Sequence, residues 1–189
     1  MKILSVRRSG EHHVVIRVLG EGKPASYTVS SVTYSSLGSP PSGYTLSSEE
    51  ISEIERDDEG VRAMKKALSL LAFSDVSEAL LRLKLRRSGF SSDTASETVR
   101  ECVNRGYLDE ERQLERLIKK EADALRGPYF IKRKLISKGY SSSAVSKAMD
   151  VLVSSSEINF DEIFERLCEK VGATDDERYA LLYKRGFKN

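Results

Sequence analysis

The sequence predicts a mainly α-helical protein built of tandem three-helix-bundle repeats, the third of them truncated, behind a small N-terminal β-meander region. Three observations lead to this prediction. From about residue 58, apolar residues recur at i, i+3 and i+4, which is the spacing of one helix face. The same pattern returns at an offset of fifty residues. The first thirty residues instead alternate, and they are rich in β-branched side chains.

The N-terminal region predicts three short strands, near residues 2–8, 12–19 and 25–30. The run Gly20-Glu21-Gly22-Lys23-Pro24 indicates a turn between the second and third strands. Residues 35–46 are rich in serine, glycine and proline and are expected to form a loop. Residues 47–61 carry seven acidic residues and one basic residue, and Ser47 with Glu50 favours an acidic helix that begins there.

The repeat defines the organisation of the remaining chain. Met64 corresponds to Leu114 and Phe164, and Leu85 corresponds to Leu135 in the second helix of the next unit. The predicted regions are a β-rich region at 1–46, an acidic linking helix at 47–60, three-helix repeats at 61–108 and 109–153, and a truncated repeat at 154–189.

Local signals mark where the second helix of each unit starts and stops. Asp75 with Glu78, and Thr174 with Glu177, are typical of capped helix starts. Pro128 suits the first position of a helix, where its missing N–H is not needed. The second helices are expected to end at a left-handed glycine followed by an aromatic residue, namely at Gly89-Phe90, Gly139-Tyr140 and Gly186-Phe187.

The second helix of the first two units is basic, and this allows two interpretations. Lys84 and Lys134 lie among the apolar positions, where a buried stem with an ammonium near the helix C-terminus would account for them. Charged residues that point away from the apolar side form either an ordinary solvated face or a ridge for an anionic partner. This second group comprises Arg82, Arg86, Arg87, Lys132 and Arg133.

Three segments resemble, in order and spacing, the motifs of the RecX family. They are SEALLRLKLRRSGF at 77–90, GYLDE at 106–110 and GPYFIKRKLISKGY at 127–140. The β region followed by YTLSSEEISEI at 44–54 is similar to that of longer members. The chain departs from the pattern at Phe130, where arginine is usual, at Lys134, where glutamate is usual, and in the missing last helix of its third unit.

The resemblance implies a non-enzymatic regulator of RecA recombinase. Such a protein would bind the RecA filament on single-stranded DNA and inhibit its extension, ATP hydrolysis and strand exchange, which damps recombination and the SOS response. It also implies a cytoplasmic monomer with no cofactor or metal and with weak direct binding to DNA. The expected partner-binding residues are Arg82, Lys84, Arg86, Arg87, Arg126, Tyr129, Lys132, Arg133, Lys134 and Lys138.

A helical module that binds DNA directly is the alternative, and a generic helical scaffold is a third hypothesis. The net charge of +2 is low for a dedicated DNA binder, but it leaves the alternative open. The sequence shows no nucleophile elbow and no Walker loop. Neither the adjacent His12 and His13 nor the widely spaced Cys102 and Cys168 predict a metal site, and both cysteines are expected in the core. No apolar run is long enough to suggest a membrane span.

Overall fold

A computed structural model of the chain describes residues 1–20 and 22–188, so the predicted turn residue Glu21 lies outside the described residues. The described part is mainly helical, with one small antiparallel sheet, which confirms the predicted fold class. The elements are β1 (Lys2–Ser9), β2 (His13–Leu19), β3 (Pro24–Ser30), α1 (Ser31–Ser36), α2 (Ser48–Phe73), α3 (Glu78–Arg87), α4 (Ser92–Asn104), α5 (Glu110–Asp123), α6 (Pro128–Ser137), α7 (Ser142–Ser154), α8 (Phe160–Val171) and α9 (Asp175–Lys184).

The chain divides into two compact units, and the division does not follow the repeat boundaries. The first unit contains residues 1–69 and 85–102, and the second contains residues 70–84 and the chain from Val103 onward. The cut at residues 69 and 70 falls within α2. This helix is continuous from Ser48 to Phe73, through the position at which the predicted linking helix meets the first repeat.

The first unit is organised around the sheet, whose order is β1-β2-β3. Val6 pairs with Ile16, and Ile16 pairs with Tyr27 on the other side. Alternate residues of the strands, including Ile3, Ile16 and Val29, are fully buried, and Ile54 of α2 belongs to the same core. The helix α1, at residues 31–36, was not predicted. It begins where the hydroxyl of Ser30 accepts a hydrogen bond from the N–H of Thr33.

Carboxylates of α2 satisfy the exposed edge of the sheet. Asp58 accepts a hydrogen bond from the N–H of Thr28 at 2.7 Å, and Asp57 accepts one from the N–H of Ser30 at 2.5 Å. An edge strand leaves such donors unpaired unless another element covers them. Two of the acidic residues that gave the helix its negative charge therefore have a structural role against β3.

A third carboxylate of α2 caps another helix of the first unit. Glu59 accepts hydrogen bonds from the N–H of Ser91 at 2.7 Å and from the hydroxyl of Thr94 at 2.9 Å. The backbone hydrogen bond from Ser91 is the main cause that holds the pKa of Glu59 below its ordinary value, because it favours the charged carboxylate. The start of α4 is thereby fixed to α2.

The second unit has one continuous hydrophobic core, to which α5, α6, α7 and α8 contribute. Its buried side chains include Leu114, Ile118, Leu135, Leu152 and Leu167. The repeat correctly predicted which face of these helices is buried. It did not predict that Leu68, Val103 and Val153 remain 38%, 39% and 47% exposed, because helical spacing groups them with residues that are buried.

The glycines that end the second helices behave as predicted. Gly89, Gly139 and Gly186 have φ angles of 94°, 92° and 75°, in the region that favours glycine. The aromatic residue that follows each glycine turns back, and its N–H donates to the last helical turn. The pairs are Phe90 to Leu85, Tyr140 to Leu135 and Phe187 to Leu182.

The predicted helix starts need one correction. Thr174 and Glu177 form the predicted capping box at α9, and Pro128 occupies the first turn of α6. Asp75 does not cap α3. The cap is the buried Ser77, whose hydroxyl accepts a hydrogen bond from the N–H of Leu80, while Asp75 forms an ion pair with Arg116. Ser77 lies directly before the helix and Asp75 lies too far upstream.

The structure gives the positions of the two cysteines, which the sequence predicted to lie in the core, and of the two histidines, which it did not predict to bind a metal. Cys102 and Cys168 are buried, as predicted. His12 lies in the turn before β2, and His13 is the first residue of that strand. Among residues 1–20 and 22–188, no group of three or more histidine, cysteine or acidic side chains could hold a metal ion. None of the described helices is long and apolar enough to cross a membrane.

Candidate functional site

The start of α6 is held against the end of α9 by two glycines in close contact. The N–H of Gly127 donates to the carbonyl of Arg185, and the N–H of Tyr129 donates to that of Gly186, both at 2.9 Å. A Cβ atom on Gly127 would lie 2.3 Å from the backbone of Gly186, so no other residue fits there. This contact places the side chains of α6 and α9 next to each other.

One face of α6 carries a column of charge and aromatic contacts. The guanidinium of Arg126 lies over the ring of Phe130, 4.6 Å from its centre, and the ammonium of Lys134 lies 5.8 Å from the same centre. Lys134 also donates to the carboxylate of Glu121 at 2.6 Å. The side chain of Glu121 is only 12% exposed. Lys134 is therefore partly neutralised within the protein, unlike the solvent-directed ammonium that the sequence suggested.

A second face of α6 forms a shallow groove with α9, called here the basic groove. It has a volume of about 390 Å³ and is lined by Tyr129, Phe130, Lys132, Arg133, Ile136, Tyr183, Gly186 and Lys188. Tyr129, Ile136 and Tyr183 are 50%, 40% and 46% exposed. The groove thus combines three cationic side chains with apolar and aromatic surface that the protein does not cover.

The charge of the basic groove is not compensated by any carboxylate of the described residues. No carboxylate is among its lining residues, and within the described part of the chain no ion pair engages Lys132 or Arg133. The phenol of Tyr183 shares a hydrogen bond of 3.2 Å with that of Tyr179, and this bond raises the pKa of Tyr183. The rings of Tyr179 and Tyr183, with centres 5.2 Å apart, form an exposed aromatic pair.

Comparison with known proteins finds proteins that resemble this chain in sequence and in fold. No family model matches the chain. Two relatives in Stenotrophomonas maltophilia, of strains K279a and R551-3, are each named regulatory protein RecX. Each is 29% identical over 128 residues, which cover 66% of this chain and 78% of the relative. A crystal structure of a regulatory protein RecX covers 99% of this chain and 94% of its own, with a TM-score of 0.72 and 18% identity.

The chain is similar in sequence to proteins named regulatory protein RecX. The solved structure shares its fold over almost the whole chain. The basic groove is lined in part by α6, whose sequence lies in GPYFIKRKLISKGY, one of the segments that carry the resemblance.

The structure divides the ten predicted partner-binding residues into groups. Tyr129, Lys132 and Arg133 share the basic groove. Arg126 and Lys134 contact Phe130, and Lys138 is exposed just after α6. Arg82 and Lys84 are half-buried on the part of α3 that belongs to the second unit, whereas the exposed Arg86 and Arg87 belong to the first.

Sequence reasoning missed three groove residues, Ile136, Tyr183 and Lys188. A signal for one of them was present, because the offset of 47 residues that relates Leu135 to Leu182 also relates Ile136 to Tyr183. Both are exposed, so a search for buried periodic positions passed over them. Lys188 follows α9 and has no periodic signal at all.

Proposed function

We propose that this chain is a non-enzymatic regulator of a RecA recombinase and acts by binding the RecA filament on single-stranded DNA. The relatives' name, regulatory protein RecX, supports a regulatory role in the same family. Binding would inhibit filament extension, ATP hydrolysis and strand exchange, and would thereby damp recombination and the SOS response. The chain would act in the cytoplasm as a monomer, without a cofactor.

The observation that carries the proposal is the uncompensated charge of the basic groove. A nucleoprotein filament presents phosphates and carboxylates, both of which accept hydrogen bonds from lysine and arginine. Lys132 and Arg133 have no carboxylate partner among the described residues, so no internal ion pair must break before they bind. The exposed Tyr129 and Tyr183 add contact area at a small cost in side-chain entropy.

The first basic helix is proposed to act with the second. Arg82 and Arg86 match Lys132 and Ile136 in the repeat, and Arg86 is exposed. Because both copies belong to one chain, contact by one raises the effective concentration of the other at the filament. Changes to Arg82 and Arg86 combined with changes to Lys132 and Arg133 should therefore weaken filament binding more than either pair alone.

The proposal is tested by measuring the rate of single-strand-dependent ATP hydrolysis by the cognate RecA. Increasing amounts of the wild-type chain or of the variant Lys132→Ser/Arg133→Ser are added. The matched control is Lys65→Ser/Lys66→Ser, which removes two exposed adjacent cations elsewhere. We expect the wild type and the control to inhibit hydrolysis, and the groove variant to need about tenfold more protein, since two lost contacts cost on the order of 1–2 kcal/mol. Unchanged hydrolysis at equimolar wild-type protein would refute the regulatory proposal.

Direct binding of single-stranded nucleic acid is a second candidate function, which the exposed tyrosines favour. Aromatic rings beside cations are typical of surfaces that stack bases and follow the phosphate backbone. Tyr129→Ala and Tyr183→Ala should each weaken binding to a bare oligonucleotide by roughly 1–3 kcal/mol if bases stack there. A filament regulator should prefer the filament to the bare strand, whereas a DNA-binding module should bind both alike.

A further inference from the structure

A second groove in the same unit has the opposite character, and it is called here the acidic groove. It has a volume of about 870 Å³ and lies where the starts of α5 and α7 approach the start of α3 and the end of α4. Its apolar lining includes Leu114, Ala144 and Ala148, together with Val103 and Val151, which are 39% and 50% exposed. Val103 was expected in the core, but its side chain forms part of this open apolar surface.

Five carboxylates and one ammonium surround the apolar lining. The acidic residues are Glu78, Asp109, Glu110, Glu111 and Glu115, and the only lysine in the lining is Lys147. Two of these carboxylates have structural partners that account for their presence: Asp109 caps α5 through the N–H of Arg112, and Glu110 accepts a hydrogen bond from the N–H of Glu78 at 2.6 Å. Lys147 pairs with Glu111 at 3.1 Å. A large negative excess remains after these contacts.

Of these carboxylates, Glu110 is partly buried, whereas Asp109, Glu111 and Glu115 are exposed. Burial raises the pKa of Glu110, and the hydrogen bond from Glu78 offsets only part of that effect. A carboxylate held beside apolar surface gains from an incoming cation, because water stabilises it less than it would at an open surface. The rim of the acidic groove therefore favours a positively charged occupant, and its apolar lining favours one with an apolar side.

We propose that the acidic groove is a docking site for a basic amphipathic helix of a partner protein. The apolar side chains of such a helix would cover Val103, Ala148 and Val151, and its lysines or arginines would meet Glu111 and Glu115 at the rim. Helices that bind in grooves do so through apolar anchors at i, i+3, i+4 and i+7. The site is separate from the basic groove, with which it shares no lining residue.

A designed peptide tests the proposal on the full-length chain. The probe is a fluorescent lysine- and leucine-rich peptide of about four helical turns, with leucines at i, i+3, i+4 and i+7. Two control peptides keep the leucines but carry glutamate for every lysine, or keep the composition in scrambled order. Fluorescence anisotropy should show saturable binding of the probe alone, weakening as salt concentration rises because exposed charges are screened.

Two pairs of matched variants locate the binding. Glu115→Lys changes the rim, and Asp150→Lys makes the same charge change on an exposed position of α7 outside the groove. Val151→Ser removes apolar surface from the groove, and Val153→Ser makes the same change at a similarly exposed position of the same helix. We expect Glu115→Lys and Val151→Ser each to weaken binding roughly three- to tenfold, and their controls to bind like the wild type. Circular dichroism verifies that each variant is folded.

Three outcomes would overturn the proposal. The first is no saturable binding of the probe at concentrations up to about 1 mM, the limit of a weak specific contact. The second is equal binding of the glutamate peptide, or equal effects of the groove variants and their controls. The third is self-association of the wild-type chain in sedimentation experiments that Glu115→Lys abolishes, because the occupant would then be a second copy of this chain.

Discussion

Gly139→Ala should destabilise the protein far more than the same substitution at the equivalent glycine of the preceding repeat, Gly89. The two glycines have nearly equal φ angles, 92° and 94°, so alanine meets the same backbone penalty at both. Their surroundings differ. A Cβ atom on Gly89 would have no neighbour within 4 Å, whereas one on Gly139 would lie 2.8 Å from the hydroxyl oxygen of Ser77 and 3.4 Å from Leu80.

The magnitude follows from two contributions. The left-handed conformation costs a non-glycine residue about 1–2 kcal/mol, and this is the whole expected effect at Gly89. At Gly139 the added methyl group must also displace Ser77, which is completely buried and caps α3, so overpacking adds about 1–3 kcal/mol. Part of that addition is the weakened cap. The total for Gly139→Ala is therefore about 2–5 kcal/mol.

Urea unfolding followed by circular dichroism measures the free energy of unfolding that Gly89→Ala and Gly139→Ala each remove. A double-mutant cycle with Ser77 tests whether the clash with its hydroxyl causes the difference. Ser77→Ala removes the clashing oxygen, so Gly139→Ala should cost clearly less in that background than in the wild type. Gly172→Ala is a control, because Gly172 is a left-handed glycine in the same unit as Gly139 and a Cβ atom there would have no neighbour within 4 Å. It shows what the backbone penalty alone costs in that unit. If Gly139→Ala costs no more than Gly89→Ala, or if the cycle shows no coupling, the steric argument is wrong.

Two further predictions concern the core. Leu85→Ala and Leu135→Ala should each reduce the free energy of unfolding by about 2–5 kcal/mol, because both side chains are buried. Arg86→Ala, at an exposed position, should change it by about 0.5 kcal/mol or less. If urea unfolding shows a larger loss for Arg86→Ala than for Leu85→Ala, the assigned helix face is wrong. Burial, with Asp75 and Glu110 nearby, raises the pKa of Tyr140 to about 12, above its unfolded value of about 10, so its contribution to stability should be complete below about pH 10 and be lost towards pH 12. Between about pH 10 and pH 12, the free energy of unfolding should decrease less steeply with pH for Tyr140→Phe than for the wild type. Parallel curves of this free energy against pH would disprove the raised pKa of Tyr140.

The candidate site shows where prediction from sequence stops. The sequence correctly singled out α6 as basic, and three of its predicted residues share the basic groove. It could not reveal that Lys134 is paired with Glu121, because these residues are thirteen positions apart and meet only when α5 and α6 pack together. Nor could it show that Tyr183 and Lys188 join the groove, since that depends on the contact between Gly127 and Gly186.

The sequence by itself determined the elements of this protein, because their causes are local. The spacing of leucines selects a helix face, a glycine permits a left-handed helix end, and alternating β-branched residues favour strands. The offset of fifty residues indicated the repeats, and the motifs at 77–90, 106–110 and 127–140 indicated the resemblance to the RecX family. Only the tertiary structure decided which charges stay available, since a carboxylate distant in sequence can neutralise a lysine such as Lys134 and leave Lys132 without a partner among the described residues. It also decided which apolar residues line open grooves, because the exposure of Val103 and Val151 depends on the gap that the neighbouring helices leave between them.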